Sequence, residues 1–297
     1  MSNIVSAWFD RSTILATGPD AERYLQGQLS ADIAKLEVGD STWSLLLAPT
    51  GKMIAWLRVS RTGDESFVID LDPAAGEEAL ARLLRFKLRV DADLTLAAGQ
   101  HMLSVRSLDG RSPATAAATP ALDAPEQPEG VLVAVVPGRS IGVAGYDLIA
   151  VERSLVNVPA EAVEDPAALE ADRIAHGIPL HGAEIDADVI PGELGAWLVE
   201  ESVSWTKGCY TGQELVARID SRGNNTPRRL SVLTFAQDSV KVALGIDVVD
   251  VDGGTVGIVT STGEGRALAL LKRSVEPGST VLIEGHEATT ERMDAGQ

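Results

Sequence analysis

Segment 207–214 concentrates the residue types of this chain that can do chemistry. It reads K-G-C-Y-T-G-Q-E and holds Cys209, the only cysteine among 297 residues. Thr211 and Glu214 have the S/T-x-x-E spacing of a capping box, which predicts a helix that starts just after the cysteine. The N–H groups of a helix start and the nearby ammonium of Lys207 both favour a thiolate. The alternative is an inert cysteine that behaves as a small buried hydrophobic residue.

Two further segments carry charged residues at spacings that could form a site. Segment 24–32 reads Y-L-Q-G-Q-L-S-A-D and ends at Asp32. Segment 172–193 contains Arg173, the sequence G-I-P, Glu184 and a P-G-E turn. From residue types alone, Asp32 is equally consistent with a turn or helix cap. Glu184 is equally consistent with a solvated carboxylate, and Arg173 with a structural ion pair.

Together the three segments resemble those of the YgfZ-type folate-binding proteins. These are relatives of the glycine-cleavage T protein that take part in iron–sulfur cluster assembly or repair. K-G-C-Y-x-G-Q-E is the fingerprint of that family. Segment 24–32 looks like the family's F-L-Q-G-Q-L-T-N-D, and segment 172–193 looks like R-x-x-x-G-I-P followed by a glutamate and a P-x-E turn. The chain departs from the pattern at Ser30 and Ala31, where the family has threonine and asparagine.

The resemblance implies tetrahydrofolate, or a one-carbon derivative of it, as the cofactor. It implies catalytic roles for Cys209 and Asp32. It also implies a set of cofactor-binding residues: Glu184, Lys207, Arg173 and Tyr210. A carboxylate such as Glu184 can accept hydrogen bonds from both the 2-amino group and the adjacent ring N–H of a pterin. Lys207 then neutralises the folate tail or stabilises the thiolate of Cys209, while Arg173 pairs with that tail or with a carboxylate of the fold. Tyr210 stacks, forms a hydrogen bond or fills the core.

Three functions follow from the resemblance, and the sequence leaves them open. The first is a tetrahydrofolate-binding accessory protein that supports iron–sulfur enzymes, including tRNA-modifying ones, with folate and transient iron–sulfur client proteins as partners. The second is a folate-dependent aminomethyltransferase of the glycine-cleavage type, in which Asp32 handles protons. The third is a scaffold in which Cys209 is inert. Whether the chain is an enzyme stays open at this stage.

Composition limits the partners. The chain has 43 acidic and 25 basic residues and a formal net charge of −18, which argues against direct nucleic-acid binding. One cysteine cannot form an intramolecular disulfide or supply the ligands of an ordinary iron–sulfur cluster. The four histidines show no familiar ligand spacing, so no metal site is expected. No signal peptide and no apolar run of about 20 residues is found, so we expect a cytoplasmic protein without a membrane span. We also expect a monomer.

Hydrophobic periodicity predicts an α+β fold. Helices are predicted at 19–28, from residue 73, and at 166–175. Strands are predicted at 42–48, 53–60, 66–71, 94–97, 102–107, 131–136 and 146–151. Six later runs suit a small antiparallel barrel: 230–235, 240–243, 247–251, 255–260, 267–271 and 281–283. The last dozen residues are expected to fray.

The predicted domains are a folate-binding α+β region of two modules at 1–225, with an Ala/Pro/Thr-rich linker near 111–128, and a barrel at 226–290. The resemblance implies the same plan, a T-protein-like ring of α+β modules with a C-terminal antiparallel β-barrel.

Overall fold

A computed structural model describes residues 4–108, 131–137, 144–223 and 225–291 of the protein. The predicted linker near 111–128 lies outside the described residues. The described chain forms one large sheet with helices on both faces and a closed barrel near the C-terminus. No helix in these ranges is both long and apolar enough to cross a membrane.

The large sheet has the strand order β2-β3-β4-β1-β5-β7-β6, and all neighbours along this path are antiparallel. The short strand β8 pairs in parallel with β1. The strands are β1 (Ile4–Thr17), β2 (Ser41–Leu47), β3 (Met53–Gly63), β4 (Ser66–Leu71), β5 (Asp93–Ser107), β6 (Val131–Pro137), β7 (Ala144–Ala150) and β8 (Val163–Glu164). The helices are α1 (Ala21–Gln28), α2 (Gly76–Arg85), α3 (Pro166–Ala175), α4 (Ala196–Ser202) and α5 (Gln213–Ser221).

Six strands close the barrel in the order β10-β11-β12-β9-β14-β13. They are β9 (Arg228–Phe235), β10 (Asp247–Val249), β11 (Thr255–Thr262), β12 (Arg266–Lys272), β13 (Thr280–Ile283) and β14 (His286–Glu291). Inward side chains such as Leu233, Ala269 and Ile283 fill its interior. Because the barrel is closed, no strand has an unpaired edge, and strands as short as β10 can be part of a stable sheet.

Strand β2 shows how the sheet is buried on both faces. Successive side chains of a strand point to opposite faces. Leu46 accordingly packs with α1 and α2, in a core that includes Leu25 and Leu83. Leu45 and Leu47 point the other way and join a second core with α4, α5 and the barrel. The site described below is built on this second face.

The predicted α+β class and the antiparallel barrel are confirmed. The strand predicted at 66–71 and the helix predicted at 166–175 agree with Ser66–Leu71 and Pro166–Ala175. Asp165 caps that helix by accepting a hydrogen bond from the amide of Ala168, and Pro166 follows at a position where a proline is tolerated. The domain boundary near residue 225 stays a prediction, because strand pairing defines sheets and not independently folding units.

Several predicted elements are wrong. The runs 94–97 and 102–107 belong to one strand, β5, because it pairs along nearly all of β1, a strand that sequence analysis missed. A register shift between Arg11 and Thr13 breaks the alternation of β1 and hides it from pattern analysis. Residues 240–243 are not a strand. Residues 286–291 do not fray; they form β14, which pairs with both β13 and β9 to close the barrel.

Candidate functional site

A cavity of about 420 Å³ lies against the second face of the large sheet. Strands β1, β2, β3, β5 and β7 form its floor, and α3 with the segment 178–181 forms the opposite wall. Its lining residues are Phe9, Asp10, Arg11, Trp43, Trp56, Asp72, Pro73, Ala74, Met102, Ser104, Arg106, Asp147, Leu169, Glu170, Asp172, Arg173, Ile178, Pro179, Leu180 and His181. Of the six predicted site residues, only Arg173 is in this lining.

Two tryptophans form a flat apolar wall of the cavity. Trp43 on β2 stacks on Trp56 on β3, with ring centroids 4.3 Å apart and planes inclined by 24°. Trp197 from α4 meets Trp56 edge-on at 5.8 Å. The indole N–H of Trp56 donates to Ser202 Oγ at 3.0 Å, so the rear of the stack is fixed. The guanidinium carbon of Arg58 lies over the Trp43 ring, 5.4 Å from its centroid. An aromatic wall that lines a cavity suits an aromatic ligand.

Buried charges support the floor beneath this wall. Arg58 donates from Nε to Asp70 at 2.7 Å and from Nη1 to Asp147 at 2.9 Å. Asp147 also accepts from Arg106 Nη2 at 2.8 Å, and Arg11 pairs with Asp70 at 3.0 Å. Burial alone would raise the pKa of Asp147, but the guanidinium groups of Arg106 and Arg58 outweigh it and lower the pKa to about 2. The floor therefore holds fixed charges that are compensated within the protein.

Arg173 and Glu184 form a second buried group at the edge of the cavity. Glu184 is fully buried and is not in the cavity lining. Its Oε2 accepts from the amide of Leu180 at 3.0 Å and from Arg173 Nη1 at 3.3 Å, while Oε1 accepts from Ser261 Oγ at 2.6 Å. Arg173 also forms two hydrogen bonds to Glu170, at 2.7 and 2.8 Å. These contacts join α3 to strand β11, and the predicted pterin contact of Glu184 stays a prediction.

The segments around Asp32 and Cys209 come together at the end of α1, outside the cavity lining. Lys207 Nζ donates to the carbonyl oxygens of Gln26, Leu29 and Ala31 at 2.6, 2.6 and 2.8 Å. Gln26 Nε2 in turn donates to Asp32 Oδ1 at 2.8 Å, a hydrogen bond that lowers the pKa of Asp32. The structure thus joins Asp32 and Lys207 in one cluster, with Cys209 two residues after Lys207 in the chain, and places Arg173 and Glu184 in another.

Burial governs the titration of two residues of the 207–214 segment. It lowers the pKa of Lys207 to about 8, an effect that the nearby charge of Asp32 partly offsets. It raises the pKa of Tyr210 to about 12, because this tyrosine packs in the second core. The side chain of Cys209, in contrast, is exposed to solvent.

The predicted capping box is wrong. Helix α5 begins at Gln213, its N-cap is Gly212, and no side chain caps it. The side chain of Gln213 accepts a hydrogen bond from the amide of Tyr210 at 3.2 Å. Two features explain why position 212 is a glycine and not a residue with a capping side chain. Its φ of +85° favours glycine, and a Cβ there would lie 2.7 Å from the carbonyl oxygen of Ala48.

This close approach gives a first prediction. Gly212→Ala is expected to lower the free energy of unfolding by about 1 to 3 kcal/mol, since it adds a left-handed alanine and a steric clash. Gly208→Ala is the matched control in the same segment, because a Cβ there meets no atom within 4 Å. Urea unfolding of the two variants measures the difference. Equal stability of both would show that the segment does not pack on the β2–β3 turn as described.

The relatives of this chain show the family to which it belongs. Protein-family profiles give no match. The chain is 30% identical to the tRNA-modifying protein YgfZ of Photorhabdus laumondii, over 73% of this chain and 66% of that protein. It is also 30% identical to the tRNA-modifying protein YgfZ of Escherichia coli O157:H7, over 73% of this chain and 68% of that protein. The chain belongs to the YgfZ family. It spans about two thirds of the length of these two relatives.

This YgfZ-family chain also shares its fold with a solved structure. The glycine cleavage system aminomethyltransferase T from Bartonella henselae superposes with a TM-score of 0.73, over 97% of this chain and 85% of that one. The sequence identity is 19%, so this similarity concerns the fold alone. The T-protein-like fold that the three segments implied is confirmed.

The main features of the cavity in this YgfZ-family chain were not predicted from the sequence. Trp43, Trp56 and Asp147 lie in strands that read as ordinary buried runs. One signal was available, since Arg58 interrupts the apolar strand M-I-A-W-L-R-V-S. A charge at the centre of a buried strand requires a charged partner, so Arg58 marked a buried ionic site. Among the described residues, no cluster of three or more His, Cys, Asp or Glu side chains is suited to hold a metal ion.

Proposed function

We propose that this YgfZ-family chain is a tetrahydrofolate-binding accessory protein that supports the assembly or repair of iron–sulfur enzymes, including enzymes that modify tRNA. The observation that carries the proposal is the cavity with its stacked tryptophan wall. The names of the YgfZ relatives point to tRNA modification, and the folate cofactor is inferred from the family resemblance of the three segments.

The size of the cavity and the polar groups of its lining support a reduced pterin as the ligand. A volume of about 420 Å³ falls in the usual range for small-molecule sites. The lining contains five carboxylates, Asp10, Asp72, Asp147, Glu170 and Asp172, and three guanidinium groups, Arg11, Arg106 and Arg173. Each carboxylate already pairs with a basic side chain of the protein, but a carboxylate can accept about four hydrogen bonds, so acceptor positions remain for a ligand. The edge of a tetrahydropterin is rich in N–H donors. Nδ1 of His181 is buried and has no hydrogen-bond partner among the described residues, which leaves one further polar atom for a ligand.

Within this proposal, Trp43 supplies the stacking surface and the carboxylates of the lining accept N–H donors of the ring. When bound, the folate would supply one-carbon or redox chemistry. Arg58 and Arg106 hold Asp147 ionised, and the Trp56–Ser202 hydrogen bond keeps the aromatic wall in place. Lys207 and Glu184 lie outside the cavity lining, so their predicted folate contacts stay predictions.

Folate binding is tested by titrating the protein with tetrahydrofolate under reducing conditions while tryptophan fluorescence is recorded. Saturable quenching with one site is expected, because two of the five tryptophans line the cavity. The variant Trp205→Phe serves as a control, since Trp205 lies outside the cavity lining and is exposed. Its quenching curve should have the same midpoint. A linear, unsaturable decrease in both proteins would contradict the cavity assignment.

The accessory role is tested in cells that lack the endogenous homologue. Wild-type protein is expected to restore the activity of an iron–sulfur-dependent tRNA-modifying enzyme, and Cys209→Ser is expected to reduce it to the level of the empty vector. The exposed position of Cys209 means that the fold should tolerate this exchange. The thermal midpoint of purified Cys209→Ser controls for stability. Full restoration by Cys209→Ser would show that the thiol is inert.

The fold of an aminomethyltransferase supports a second candidate, folate-dependent aminomethyl transfer. Its discriminating assay measures ammonia released from an aminomethylated lipoyl carrier in the presence of tetrahydrofolate. No ammonia above the protein-free rate is expected if the accessory function is correct. Sustained turnover would favour the transferase and assign Asp32 the proton-handling role.

A further inference from the structure

Helix α1 ends without a cation of its own. The last carbonyls of a helix lack intrahelical partners and carry the negative end of the helix dipole. Basic side chains commonly occupy the last turn for this reason, but the last turn of α1 contains none. The positive charge comes instead from Lys207, which is 181 residues away in sequence from Gln26, the residue whose carbonyl it contacts.

The ammonium of Lys207 is saturated by backbone oxygens. An ammonium has three N–H donors. All three are used, by the carbonyls of Gln26, Leu29 and Ala31 at 2.6 to 2.8 Å. No N–H remains for a folate carboxylate or for the sulfur of Cys209. The Lys207 side chain therefore links the 207–214 segment to the end of α1 and has no N–H left to bind a ligand.

A second anchor lies on the other side of the cysteine. The amide of Thr211 donates to the carbonyl of Gly27 at 3.3 Å, again at the end of α1. Cys209 thus lies midway between two residues that attach to the same helix end. Tyr210, directly after the cysteine, also packs in the second core, so the C-terminal side of the segment is held independently of Lys207. On the N-terminal side, Gly208 has open space around it, and Lys207 is the anchor.

We propose that Lys207 is a positioning residue whose ammonium clamps the Cys209 segment onto the C-terminal end of α1 and so holds the thiol at a fixed place at that helix end. The clamp acts through backbone carbonyls and not through contact with a ligand or with the sulfur. Asp32 belongs to the same unit, because Gln26 both offers its carbonyl to Lys207 and donates its side-chain amide to Asp32. This inference does not depend on folate binding.

The lone cysteine makes the clamp measurable without engineering. A nitroxide spin label attached to Cys209 reports the motion of the segment by electron paramagnetic resonance. The wild-type protein is expected to show a dominant immobilised component, and Lys207→Ala is expected to lose it. Addition of n-propylammonium, which replaces the missing part of the side chain, should restore the immobilised component, whereas tetramethylammonium, which has no N–H donor, should not.

Two further variants keep the test decisive. Lys207→Met keeps most of the side-chain volume without the charge, so it should also lose the immobilised component and should not respond to n-propylammonium. Lys35→Ala is the matched control, because Lys35 pairs with the same Asp32 but is exposed to solvent, and its spectrum should equal that of the wild type. An immobilised spectrum in Lys207→Met, or mobility in Lys207→Ala that n-propylammonium does not reverse, would overturn the proposal.

Discussion

Asp147→Asn is expected to lower the free energy of unfolding at neutral pH by about 3 to 5 kcal/mol, the usual cost of removing one partner from a buried ion pair. Asp147 is the shared acceptor of Arg58 and Arg106 and also accepts from Ser104 Oγ at 2.7 Å. Its replacement leaves the guanidinium groups of Arg58 and Arg106 with less compensating negative charge. Among the described residues, Arg58 retains the carboxylate of Asp70, and Arg106 has no other carboxylate partner.

The acid dependence of stability gives the same prediction a second readout. The pKa of Asp147 falls from 3.8 to about 2 on folding, so its charge stabilises the native state above the unfolded-state pKa. This contribution is lost as the pH falls through about 2. Urea unfolding as a function of pH should therefore show a loss of stability in acid that is smaller in Asp147→Asn. The control is Asp188→Asn, an exposed pair with Lys52 whose removal should change stability little. Equal losses in both variants would contradict the buried network.

Trp43→Ala is expected to weaken tetrahydrofolate binding by about 1 to 2 kcal/mol, or roughly five- to thirtyfold in the dissociation constant, because it removes the stacking surface. Isothermal titration calorimetry gives this constant directly. Trp43→Phe keeps an aromatic ring and should lose less. Trp205→Ala is the control, since Trp205 is 49% exposed and lies outside the cavity lining. An unchanged constant in Trp43→Ala would remove the tryptophan wall from the ligand site.

The sequence predicted those helices and strands whose ends are set by capping or turn residues next to them in the chain. The helix Pro166–Ala175 has its aspartate cap and its proline in sequence, and the strand Ser66–Leu71 is bounded by polar turn residues. Strand β1 escaped prediction because a register shift interrupts its alternation. Strand β14 escaped because its sequence, H-E-A-T-T-E, is polar outside Ala288, and only its pairing with β13 and β9 makes it a strand.

The site was predicted in part for a similar reason. Family resemblance found segments 24–32 and 207–214, and the structure places them in contact through Lys207 and Thr211. The partners of Lys207 could not be predicted, because a lysine in a loop shows no preference for carbonyls 176 to 181 residues away. The cavity depends on packing between strands that are distant in sequence, so Trp43 and Asp147 carried no local signal beyond hydrophobic burial and charge.

The most direct test of folate binding in this cavity is a crystal structure of the protein with a reduced folate at saturating concentration. The pterin ring is expected in the 420 Å³ cavity, stacked on Trp43, with its N–H edge toward the lining carboxylates. Density for the ring in any other place, or an empty cavity at a concentration that saturates the solution titration, would contradict the account.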